Sequence, residues 1–156
     1  MIVALNPAFV GRTYPASPPY LVGREKVREF ATAVGEDSPA CHDLAAAAEL
    51  GYADLVAPTT FPFVIVSKAM AAALFDPELG LDYSRVVHGE QSFSYARPLL
   101  AGDEVTVTIS IEAIRSAAGN DLITVRGDVT TVTGDPVCTA RSITVARGTA
   151  EPEAAR

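Results

Sequence analysis

Apolar and polar positions alternate strictly along the middle of the second half of the chain. Val105, Val107, Ile109 and Ile111 are separated by Thr106, Thr108 and Ser110 and followed by Glu112. That period of two is the mark of a strand with one buried face. Four segments rich in β-branched residues predict four strands: 86–97 (VVHGEQSFSYAR), 104–114 (EVTVTISIEAI), 122–132 (LITVRGDVTTV) and 137–147 (VCTARSITVAR). Turn formers separate them at Pro98 to Asp103, Gly119-Asn120 and Gly134-Asp135-Pro136, the last two short enough for antiparallel hairpins. The back half therefore reads as an antiparallel meander.

The period changes in the front half. Val27, Phe30, Ala31 and Val34 follow helical spacing within Arg24 to Val34, whose other side carries Arg24, Glu25, Lys26, Arg28 and Glu29 as a solvated face. DLAAAAELG, Asp43 to Gly51, reads as a short helix with an Asp N-cap and a Gly stop. FPFVIVSKAMAAALF, Phe61 to Phe75, is apolar on almost every side, so as a helix it must be surrounded by other structure. Thr59 or Thr60 is its expected N-cap, Pro62 suits its first turn, and Asp76-Pro77 stops it. One apolar helix followed by a long antiparallel sheet predicts an α+β fold in which the sheet wraps the helix.

Composition narrows the picture. A chain of 156 residues with 49% hydrophobic residues suits one domain, expected over 1–148, with 149–156 as a flexible C-terminal tail. The formal charge of -7 repels nucleic acid and anionic membrane, so neither is an expected partner. An acidic partner could still dock on local cations, for which Lys26, Arg28, Arg97 and Arg115 are the candidates. The longest apolar run is shorter than the ~20 residues of a membrane span and contains Ser67 and Lys68. The N-terminus lacks a basic region before its apolar part and reaches Pro7 too early for a signal peptide, so a cytoplasmic location is expected. Cys41 and Cys138 are far apart, and no Cys/His cluster has metal-ligand spacing, so neither a disulfide, a metal nor a cofactor is expected.

The chemistry gathers at GEDSPACHD, residues 35–43, because His42 is one of only two histidines. A carboxylate beside an imidazole can share proton transfer near neutral pH, which makes Glu36 and His42 the candidate acid/base pair. His42 is equally read as a surface residue beside the N-cap Asp43, and Glu36 and Asp37 as groups that solvate a turn. The other histidine, His88, reads as strand packing or a subunit contact.

FVGRTYP (9–15), VGREKVREFATAVGEDSPA (22–40), AELGYADLVAPTTF (48–61), LGLDYSRVVHGEQSFSYARPLLAGDEVTV (79–107) and AGNDLITVRGDV (118–129) together carry a family resemblance. The chain resembles the MaoC-like hot-dog proteins, and more closely the FAS1-like dehydratase group of the UPF0336 type. That group includes the A and C subunits of actinobacterial (3R)-hydroxyacyl-ACP dehydratase. The resemblance implies a hot-dog fold, in which protomers pair their sheets edge to edge, and lyase chemistry on acyl-ACP or acyl-CoA thioesters. In active relatives a loop G-D-x-N-P-x-H supplies an Asp and a His that add or remove water at the β-carbon. The N-terminus of the central helix there faces the thioester carbonyl, where free N–H groups can stabilise enolate-like charge.

The register of that loop departs from the pattern. With Pro39 as anchor, Glu36 falls on the Asp position, Ser38 on the Asn and Cys41 on the His, leaving His42 one residue late. Gly51, ten residues past Cys41, gives the same register. Neighbouring side chains in an extended loop point in different directions, so His42 reaches a cleft only if the loop bulges. The His-Gly pair that leads into the central helix of active relatives falls here on Pro58-Thr59. Cys41 has no base placed to activate it and reads as buried packing.

The favoured reading is a subunit that lends scaffold and acyl-chain binding to a MaoC-like partner carrying the catalytic Asp and His. Its substrate wall would be Thr59, Thr60, Phe61 and Phe63, which otherwise only cap and pack the central helix. Two alternatives stand beside it: a self-sufficient hydratase using Glu36 and His42, alone or as a homodimer, and a non-catalytic acyl-thioester binding module.

Overall fold

The computed structural model describes residues 5–150; the expectations for the first four residues and for 151–156 fall outside it. Three α-helices, α1 (Arg24–Val34), α2 (Leu44–Glu49) and α3 (Pro62–Leu74), precede most of a five-stranded antiparallel sheet. Its strands are β1 (Tyr20–Leu21), β2 (Val86–Tyr95), β3 (Glu104–Ala117), β4 (Asn120–Thr131) and β5 (Pro136–Ala146). The expected α+β arrangement is present, with the sheet wrapped around α3.

The alternation in β3 does what its period requires. Val105, Val107, Ile109 and Ile111 are all buried on the side that packs against α3, while the residues between them stay half-exposed. Helix and sheet pack closely at Gly127, where a Cβ would lie 2.9 Å from Val66 Cγ1 and 3.2 Å from Ile109 Cδ1. A side chain at that point would force Val66 of the central helix to shift. In α1, Val27 and Ala31 are buried, whereas Val34 is exposed beside the left-handed Gly35 that ends the helix.

The strand order is β1-β3-β4-β5-β2, so only β3, β4 and β5 form the expected meander. The chain from 96 to 103 carries β2 away from its sequence neighbour to the far edge, where it pairs with β5. The β3–β4 turn also differs from expectation: Ala117 pairs with Asn120, so its central residues are Ala118 (φ 50°) and Gly119 (φ 75°). Asn120 belongs to the strand.

At α3, neither Thr59 nor Thr60 is the N-cap. Phe61 holds that position in helical conformation, without a side-chain cap bond, and Pro62 follows at the first position. The chain enters through a tighter turn, in which the Phe61 amide donates to the Pro58 carbonyl at 2.8 Å. This apolar helix is not enclosed all round: Lys68 and Ala72 are exposed on one face and Phe63 on another. At the other terminus, Thr149 is buried and its hydroxyl donates to the Ala146 carbonyl at 3.0 Å.

Candidate functional site

The loop from Gly35 to Asp43 is closed upon itself. Pro39–Cys41 forms one 3-10 turn that sends Cys41 inward, where it is buried. Burial pushes the Cys41 thiol up, the nearby Glu36 charge adds to this, and a bond with Ser38 opposes it. A protonated, enclosed thiol is a poor nucleophile. His42 follows half-buried, its Nε2–H donating to the Glu36 carbonyl at 2.8 Å. Its own carbonyl accepts from Arg28 Nε at 2.9 Å, and the Glu36 carboxylate accepts from the Ser38 amide at 3.0 Å. Asp43 caps α2 by accepting from the Ala46 amide. His42 Nε2, the Glu36 carboxylate and Asp43 are thus engaged in holding the loop's shape, while Asp37 is exposed.

A groove of about 760 Å³ lies elsewhere, between the start of α3 and the inner face of β2. Thr59, Thr60 and Phe63 line it from the helix side, with Phe30 of α1 below. Phe61 does not line it: its ring is fully buried, edge-on to Phe30 at 5.3 Å between centroids. Neither Glu36 nor His42 is among its wall residues. Three of the four candidate docking cations are also engaged, Lys26 with Glu29, Arg28 with Glu25 and Arg97 with Asp103.

The β2 wall contains the residue that sequence reasoning missed. Gln91, Phe93 and Tyr95 oppose Ser142, Ala140 and Cys138, all buried on the inner face of β5. Simple alternation would put His88 on the opposite face. A bulge at Gly89 inserts one residue, so that His88 opposes Thr144 and joins the inner face. Gly89 fits this point closely, since a Cβ would meet Val145 Cγ2 at 3.0 Å and the Ile143 carbonyl oxygen at 3.1 Å. His88 then stands edge-on to Phe63, with centroids 5.5 Å apart and planes at 88°. A glycine inside a strand pattern was the available signal for this bulge.

The groove is mainly apolar and holds no carboxylate. Burial raises the Tyr95 phenol well above its ordinary pKa, with Cys138 adding to the effect. Its proton is committed to the Thr59 carbonyl at 2.8 Å. At the helix start, the amides of Phe63 and Val64 donate to Thr60 and Phe61, and Pro62 has none. The amides of Thr59 and Thr60 find no acceptor among the described residues. Gln91 Oε1 and Ser142 Oγ, on facing strands, are likewise buried without a hydrogen-bond partner there. Such atoms cost about 1–3 kcal/mol each when left unsatisfied. The arrangement can hold an extended apolar chain with a few polar contacts, and it lacks a paired acid and base.

Among the described residues no three His, Cys, Asp or Glu side chains group to hold a metal, and no helix is long and apolar enough to cross a membrane.

Comparison with known proteins gives this groove its context. A UPF0336 protein of Streptomyces griseus is 57% identical over 149 residues, covering 96% of this chain and 99% of the relative. The truncated HadBC (3R)-hydroxyacyl-ACP dehydratase complex of Mycobacterium tuberculosis contains a chain with TM-score 0.77 and 31% identity, covering 87% of this chain and 96% of that one. A MaoC-like dehydratase is closer in shape, with TM-score 0.81 and 41% identity over 90% of this chain but only 42% of its own. The FAS1-like dehydratase domain region matches residues 8–140, and with these hot-dog relatives it shows that the chain belongs to the FAS1-like dehydratase family in its UPF0336 branch.

Proposed function

We propose that this chain is a subunit of a (3R)-hydroxyacyl-thioester dehydratase or (R)-specific enoyl hydratase, binding the acyl chain while a MaoC-like partner supplies the catalytic Asp and His. The observation that carries this reading is the groove wall. It combines apolar surface with a single imidazole and no carboxylate, while the nearest match to an acid/base pair, Glu36 and His42, is consumed in its own loop. The acyl group would come as an ACP or CoA thioester, and the reaction needs no cofactor from this chain.

The sheet edge supports a partner. Among the described residues β2 pairs only with β5, which leaves its outer edge open there, and Val87 and Tyr95 on this strand are exposed. Phe75 and Tyr83, exposed and stacked at 4.6 Å, extend the apolar surface near the start of β2. An open edge beside apolar surface is a template for pairing with another sheet. The HadBC relative is a complex, and the region similar to this chain fills less than half of the longer MaoC-like relative.

Co-expression with a MaoC-like protein carrying G-D-x-N-P-x-H tests the proposal. The expected result is a stable heterodimer that hydrates crotonyl and longer enoyl thioesters, with the chain alone inactive. Turnover by the purified chain that His42→Ala abolishes overturns it in favour of the self-sufficient enzyme. A homodimer that binds acyl thioesters and gives no turnover with such partners overturns it in favour of the binding module.

A further inference from the structure

Beyond Phe63 the groove meets a second cavity of about 220 Å³. Ser67, Met70 and Leu74 line it along α3, and Tyr83, Val86 and Thr144 close it. Among the described residues, Phe63 and His88 alone belong to both cavities. Phe63, Ser67, Met70 and Leu74 recur at helical spacing, so the inner cavity runs along the helix axis rather than across it. At about 1.5 Å per residue, the stretch from Phe63 to Met70 adds about 10 Å of path. The cavity is below the roughly 300–1,000 Å³ of a typical small-molecule site, which suits the extension of an occupant better than a separate ligand.

The two shared side chains can move. Phe63 is 37% exposed, and the exposed His88 ring makes no hydrogen bond among the described residues. Their edge-to-face contact is weaker than the burial of several methylenes. Behind them Met70 and Leu74 are buried, forming an apolar floor.

We infer that Phe63 and His88 form a gate that sets acyl chain length. While they touch, the chain is confined to the outer groove. When they part, its distal carbons enter the inner cavity against Met70 and Leu74. The inference rests on the acyl-binding reading above and adds to it which chains are accepted and by which residues.

Titration of the full chain with saturated acyl-coenzyme A esters from butanoyl to hexadecanoyl tests the gate. Wild-type affinity should rise with length and level off where the outer groove is filled. Phe63→Ala should move that limit several carbons longer and raise affinity for the longer esters at least tenfold, the gain from about two further buried methylenes. His88→Ala, which leaves α3 intact, should act in the same direction, and adding Ser67→Leu to Phe63→Ala should cancel the gain by filling the inner cavity. A length limit unchanged in both single variants overturns the gate and leaves acyl binding standing. Absence of any dependence on chain length, in wild type and variants alike, overturns both.

Discussion

The 35–43 loop and the groove beside β2 use the same kinds of residues to opposite ends. Each holds an imidazole, and each has a thiol beside it, Cys41 within the loop and Cys138 opposite Tyr95 of the groove. In the loop the imidazole, the carboxylate and the backbone close on one another. In the groove His88 is exposed and makes no hydrogen bond among the described residues, and Gln91 Oε1 is buried there without a partner. A segment that satisfies itself contributes shape; a segment that leaves polar atoms and aromatic faces open is built to receive something. On the proposed reading, binding falls away from the histidine that the sequence motif draws the eye to.

The largest expected effect comes from the glycine that sets the face of His88. Gly89→Ala forces a Cβ against Val145 and the Ile143 carbonyl, costing about 1–3 kcal/mol of stability. Relief of that contact by loss of the bulge would turn His88 to the other face, so the length limit for acyl binding should move longer, as in His88→Ala. Urea unfolding and ligand titration on the same sample check both. A destabilised variant whose length limit stays unchanged would break the comparison.

The two thiols give a pH test. Burial pushes the Cys138 thiol up from 9.0 to about 11, against a weaker opposing bond to Ser94. The folded chain therefore holds a proton that the unfolded chain releases first. The stability from this group is complete below about pH 9 and is lost as pH rises through about 11. Cys138→Ala should flatten that alkaline decline, as read from urea midpoints across the range. Both native thiols should label slowly with iodoacetamide at neutral pH.

Much of this was legible beforehand because it is local. The α1 boundaries followed from helical spacing and the terminal Gly35, and the buried face of β3 followed from its alternation. The pairing order was not, because nothing in the period of β2 says which neighbour it chooses. The face of His88 was hidden for a sharper reason: a single bulge inverts the parity on which strand reading depends. Thr59 and Thr60 looked like caps by residue type, but the Pro58–Phe61 turn had already supplied the helix entrance from the backbone. The candidate loop was legible as a departure from its family's register, while its self-closure required the fold.

A matched pair of substitutions sharpens the contrast most directly. His42 and Tyr95 each donate one hydrogen bond to a backbone carbonyl at 2.8 Å, Glu36 in the loop and Thr59 in the groove. His42→Ala should cost about 1 kcal/mol of stability, the usual worth of such a bond, and leave turnover of the heterodimer unchanged.

Tyr95→Phe is the smaller perturbation, since it removes one oxygen and keeps the ring, so its cost should be about 0.5 kcal/mol. Its consequence should nevertheless appear in binding, because Thr59 is both the acceptor of that bond and part of the groove wall. Released from β2, the turn before α3 gains freedom, and a loss of several-fold in acyl affinity should accompany the small loss of stability. The informative quantity is the ratio of the two effects: binding moves and stability hardly moves for Tyr95→Phe, and the reverse holds for His42→Ala. Equal ratios at both positions would mean that the two regions differ only in where they lie.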